Sequence, residues 1–147
     1  MALTSATISI LDVRNKNKDL LLTDGIADSD IQEKIDNAII TVFSEIGETL
    51  DDTLIDDSNC PADIKLVIIL TAASDAIIDN YVDMPNAIKI AEMYLSKAKT
   101  TISAIVAGRR RFSQLQKQKA PLSVPFDYIK DDLDNRIDSY ISKINRY

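Results

Sequence analysis

The chain has no histidine, one cysteine, three glycines, four prolines and few aromatic residues. Without histidine it lacks the side chain that most often serves as a general base near neutral pH, and the commonest imidazole metal ligand. Hydrolytic triads built on histidine are therefore excluded. The single Cys60 cannot form an intrachain disulfide. It precedes a predicted helix start, where a thiol pKa can fall, but with no His partner and no resolving Cys it reads as a capping or packing residue. Gly25, Gly47 and Gly108 are each isolated, so there is no Gly-rich phosphate loop. No carboxylate has an apolar setting with an evident partner, and a solvated face is its default. The expectation is a protein that is not an enzyme, with no catalytic residue and no cofactor. No basic start followed by an apolar stretch resembles a secretory signal, and a reducing, intracellular origin is expected.

Long hydrophobic runs are also missing. The most apolar stretch, Pro61 to Tyr81 (PADIKLVIILTAASDAIIDNY), has an apolar centre from Leu66 to Ala73. Asp63, Lys65, Asp75 and Asp79 bracket a run too short for a bilayer, which needs about 20 such residues. No membrane association is expected. A helix apolar almost all round is normally a buried one, so this stretch is the predicted core helix. Pro61 suits its first turn and Asp63 the positive end of its dipole.

What is present is helical periodicity. Length and composition, with 147 residues and 46% hydrophobic, favour one all-α domain with a core of Ile, Leu, Val and Ala. Ser29 and Gln32 have the spacing of a capping box. After them Ile31, Ile35, Ile39, Val42, Ile46 and Leu50 form one apolar stripe. After Asp83-Met84-Pro85, the residues Ile88, Ala91, Leu95, Ala98, Ile102 and Ile105 form the seam of a third long helix, closed by Gly108. Lys97, Lys99 and Arg109 to Arg111 put positive charge toward that helix's negative end. Before residue 29, Thr7 to Val13 looks like a short strand, and Leu20 to Leu22 like a short helix before the turn at Thr23-Asp24-Gly25. The expected organisation is a segment over 1–28 packed on a bundle body over 29–108. A basic linker arm over 109–126 and an amphipathic helix over 127–147 follow. The fold class is thus a compact bundle of three long helices plus an extended arm and a C-terminal helix.

The net charge of -6 hides an asymmetry: residues 1 to 108 carry -10, and 109 to 147 carry +4. Arg109, Arg110, Arg111, Lys117 and Lys119 make a basic run without an acid, ending among Pro121 and Pro125. Such a run meets phosphate or an acidic partner surface, or is a solvated linker. Beyond it Ile129, Leu133, Ile137, Tyr140, Ile141 and Ile144 restore a helical stripe that needs an apolar partner. Those eleven residues are the candidate partner-binding set. The acidic loops from Asp24 to Asp30 and from Asp51 to Asp57 lack the alternation, central Gly and twelfth-position Glu of an EF-hand, so no metal site is expected.

The order of elements resembles a known family. LLLTDGIADSDIQEKIDNAIITVFSEIGETL, then a loop, CPADIKLVIILTAASDAIIDNY, and a helix ending ISAIVAGRRRF are similar to the small helical head-to-tail connector (adaptor) subunits of tailed bacteriophages, including the Mu-like prophage group. The cues are Leu22-Thr23-Asp24, Pro61 with Lys65, and Ala107-Gly108-Arg109, over about residues 20 to 112. The resemblance implies a virion structural protein assembled in the host cytoplasm. Several copies, typically twelve, would form a homo-oligomeric ring beneath the portal, bind the portal protein and the next tail component, and let DNA pass without specific binding. This chain departs from the shorter members after Phe112. Two other classes stay open: a nucleic-acid-binding regulator using the basic segment from Arg109 to Lys119, and a helical module that binds a partner through its last helix.

Overall fold

Among the described residues four α-helices follow one another: α1 (Ile10–Arg14), α2 (Asp28–Ile46), α3 (Ala62–Asn80) and α4 (Pro85–Val106). The computed structural model describes residues 8–22, 24–47, 49–51, 54–110 and 112, and these form no strand. The chain divides after residue 117 into two units, and every described residue belongs to the first. The described protein is all-α. The stripe predicted from Ile129 to Ile144 lies outside the described residues, as does all of the arm beyond Phe112.

The apolar run around Leu66 to Ala73 dictates the arrangement. Ile64, Val67, Ile68, Leu70, Thr71, Ala72, Ala73, Ser74, Ala76 and Ile77 of α3 are all buried, so its middle turns have no solvent face. Two of these carry hydroxyls, and each finds a carbonyl: Thr71 donates within the helix to Val67 (2.9 Å), and Ser74 donates across to Ala91 of α4 (2.9 Å). A Ser hydroxyl is short, so that second bond requires close approach of the two helices. Small residues on α4 permit it: Ala87, Ala91 and Ala98 are buried along one face of that helix. The connection from Tyr81 to Met84 is short and turns α4 back antiparallel to α3. Pro61 stands at the N-cap of α3, one residue before the helix, and Pro85 occupies the first turn of α4.

On the other side of α3, α2 buries Ile31, Ile35, Ala38, Val42 and Ile46, with Ile39 half-buried beside them. The expected stripe is present, and Leu50 joins the core from just beyond the helix end. The capping box expected at Ser29 is not formed. The helix begins at Asp28 behind Ala27, without a side-chain cap, because Asp28 is held by Arg14 and fixes the first turn. On α4 the seam is rotated slightly from the predicted one: Ala87 and Thr101 are buried, whereas Ile88 and Leu95 are half-buried. The last turn of α4 carries no basic residue, so Lys97 and Lys99 do not cap it.

The N-terminal segment departs most from expectation. Thr7 to Val13 is not a strand in its described part. Ser9 and Asp12 form a reciprocal capping box, each side chain accepting from the other's backbone N–H at 3.1 Å, and nucleate α1. Leu20 to Leu22 is a turn rather than a helix, because the Asn17 side-chain oxygen accepts from the backbone N–H of Asp19 (3.2 Å) and Leu20 (3.1 Å). Arg14, only 9% exposed, ties the whole segment down. Its guanidinium donates to the carbonyls of Leu21 (2.7 Å) and Ile26 (2.8 Å) and to the carboxylate of Asp28. Tyr94 on α4 adds a bond from its hydroxyl to the Lys16 carbonyl at 2.8 Å.

Two substitutions test this description. Ile68 is fully buried, and Ile68→Asp places an unpaired charge there; a loss of about 3 kcal/mol or more is expected in urea unfolding, and unchanged stability contradicts the core position. Arg14→Ala strands two buried carbonyls and is expected to cost about 1–3 kcal/mol. Faster hydrogen exchange at residues 17–27 than over α3 should accompany it.

Candidate functional site

The end of α4 is where the sequence changes sign, and its geometry is specific. Gly108 adopts φ +68. Its N–H donates to the Ile105 carbonyl (3.0 Å), and the N–H of Arg109 donates to that of Ala104 (2.9 Å), the paired bonds of a Schellman motif. This closure was legible from Gly108. It sends Arg109 into solvent and brings Arg110 to the first turn of α3, where its guanidinium pairs with Asp63. Phe112 is half-buried against the core. The start of the basic segment is thereby fixed at the end of the body shared by the α4 C-terminus and the α3 N-terminus.

The structure separates the candidate residues. Arg109 is exposed and Arg110 is engaged within the body. Arg111, Lys117, Lys119, Ile129, Leu133, Ile137, Tyr140, Ile141 and Ile144 lie outside the described residues. Asp63 is the partner that sequence reading missed. It was assigned to the helix dipole alone, and nothing in the spacing announces a pairing across the ends of two antiparallel helices.

At the opposite end of the α3/α4 pair the chain leaves a groove of about 460 Å³ between the turn after α1 and the start of α4. Leu20, Met84, Pro85 and Ile90 supply apolar lining, and Asp19 and Asp83 supply acids. Val82 and Met84 beside it are 70% and 54% exposed. The sequence marked Asp83-Met84-Pro85 only as a helix break. The groove arises because Asn17 shapes the preceding turn, which periodicity does not report.

The remaining titratable groups have structural settings. Burial pushes the Cys60 thiol up to about 11, against the pull of Lys65, so it stays protonated and packs in the core rather than gaining reactivity from the helix end. Asp56 is held below the usual carboxylate range by hydrogen bonds from the Ser58 hydroxyl (2.6 Å) and the N–H groups of Ser58 (2.9 Å) and Asn59 (3.2 Å). It organises its own loop. Among the described residues no group of three or more Cys, Asp or Glu could hold a metal ion. None of their helices is long and apolar enough to cross a membrane. Lys34 of α2 pairs with Asp79 of α3, which raises the lysine's pKa. Asp75, one turn back and half-buried, is raised by burial, with Lys34 acting in the opposite sense and Asp79 adding to the rise.

No protein-family model, no curated protein and no solved structure matches this chain.

The Asp75 setting yields a signed pH prediction. Its folded pKa lies above the unfolded value, so the folded state is favoured while the group is neutral, and that advantage is lost as pH rises through the folded pKa. Asp75→Asn is therefore expected to raise the melting temperature at pH 7 and to lose that benefit at pH 3. Equal effects at both pH values contradict the burial argument.

Proposed function

We propose that the protein is a virion structural subunit, a head-to-tail connector that forms a ring beneath the portal of a tailed phage and extends the DNA channel toward the tail. The body is a bundle of three long helices, and the chain from Arg109 onward is an assembly arm with a terminal amphipathic helix. The observation that carries this reading is the polarity of the chain about the end of α4. A body of charge -10 is closed by the Gly108 turn, and a segment of charge +4 departs from an anchored root at Arg110 and Phe112. An acidic body suits a channel wall, since phosphate contacts are what give DNA its affinity for a protein. The basic arm suits acidic surfaces on neighbours, including the next copy's body. The family resemblance of residues 20 to 112 supplies the remaining support, and the site of action is the virion.

The regulator reading has less support because its basic cluster is divided: Arg110 is taken by Asp63 rather than free for phosphate. A helical partner-binding module shares the amphipathic last segment and is separated by assembly state.

Electron microscopy of the protein co-expressed with its neighbouring portal is expected to show rings on the portal. Truncation after Phe112 is expected to keep the body's melting temperature, because Arg110 and Phe112 are retained, and to abolish portal association. Retained association, or collapse of the body, contradicts the assembly-arm reading. Nanomolar, sequence-selective duplex binding favours the regulator instead.

A further inference from the structure

Charge is divided unevenly between the two long helices that flank α3. α2 carries five acids and one lysine, a net -4, whereas α4 carries three lysines and one acid, a net +2. Neither helix pairs its outward charges within the body. Glu33 and Asp36 on α2, and Lys89 and Lys97 on α4, are exposed and enter no ion pair among the described residues; Asp36 only accepts from the neutral Gln32 at 3.2 Å. Each set adjoins one exposed apolar side chain. Ile40 is 69% exposed, one turn beyond Asp36 and two beyond Glu33, and Met93 is 59% exposed, one turn from Lys89 and one from Lys97. We propose that these two faces meet between copies of this chain, the α4 face of one seated on the α2 face of the next.

The match lies between two faces that one body cannot bring together. α2 and α4 both turn their buried residues toward the core, so the opposite faces, with Ile40 and Met93, point away from it and from each other. Only a second copy sets one on the other. With Met93 on Ile40, a lysine lies about 6 Å along the axis, four residues at 1.5 Å each, and Asp36 stands at the same interval from Ile40. Lysines flank Met93 on both sides, so the register holds for either relative direction of the two helices. Two α2 faces would oppose acid to acid, and two α4 faces lysine to lysine, which disfavours pairing of like faces. The contact is therefore heterologous: each copy uses one patch toward one neighbour and a different patch toward the other, the arrangement that generates rings when it closes. It gives the proposed ring its contact between subunits and rests on that reading for closure.

The test uses full-length chains, sized by light scattering. Lys89→Glu with Lys97→Glu makes one variant, and Glu33→Lys with Asp36→Lys makes another; all four residues are exposed, so the fold is kept, as circular dichroism checks. Wild-type assemblies are expected to weaken several-fold at high salt. They should be lost in either variant alone and return when the two variants are mixed, because each then meets a face of opposite sign. A second measurement is independent of charge: Ile40→Cys and Met93→Cys, made in separate chains, mixed and oxidised, should give a linked pair well above the level in either alone, Cys60 being buried. A wild-type chain that stays monomeric, assemblies that survive both reversals, a mixture that stays dissociated, or absence of the link overturns the proposal. Assembly that ignores both reversals but is lost on truncation after Phe112 assigns the contact to the C-terminal segment and overturns it too. Portal association scored on the same samples separates the two readings: restored assembly without portal binding removes the connector and keeps the interface, and portal binding untouched by the reversals does the opposite.

Discussion

Everything in the body follows from a helix that has no face to spare. α3 is buried through its middle turns, and a helix in that position must be covered on every side. α2 and α4 cover it along their lengths, and α1 with the loop after it closes part of what remains. Each covering helix needs only one apolar stripe, which is what α2 and α4 carry. Besides Arg14, the buried polar side chains among the described residues are the hydroxyls of Thr71, Ser74 and Thr101, and all three donate to carbonyls, so none leaves an unmet hydrogen bond.

Charge acts at the margins of this core rather than within it. Arg14 holds the N-terminal loop, Lys34 meets Asp79 between α2 and α3, and Arg110 meets Asp63 across the ends of α3 and α4. Each pair joins different elements. Exposed pairs contribute little to stability, typically below about 1 kcal/mol; what the second and third provide is register between helices. Arg14 differs because two of its four bonds go to carbonyls of a loop with no ladder of its own, so losing it would strand backbone groups as well as a charge.

The long helices were legible in the sequence because their signals are periodic and repeated. The stripe from Ile31 to Ile46, the apolar centre of α3, Pro85 and Gly108 each predicted what the structure contains. The N-terminal segment was not legible, because α1 has only five residues and too few turns to display a period. Its Ser9–Asp12 box was overlooked, while Ser29 and Gln32 offered the same spacing without forming one. A capping motif is a local option, and Arg14 gripping Asp28 settled where α2 starts. Of the candidate surface, the turn at Gly108 could be read, but the pairing of Arg110 and the groove beside Met84 depend on contacts between residues distant in sequence. No local pattern encodes those.

The seam between α3 and α4 has an entropic consequence. Alanine has no rotamers to lose, so the face of Ala87, Ala91 and Ala98 that α4 turns toward Ser74 is ordered at almost no side-chain entropy. The same pair of helices carries the Arg110–Asp63 contact at one end and the apolar groove beside Met84 at the other, separated by the roughly 33 Å that the 22 residues of α4 span.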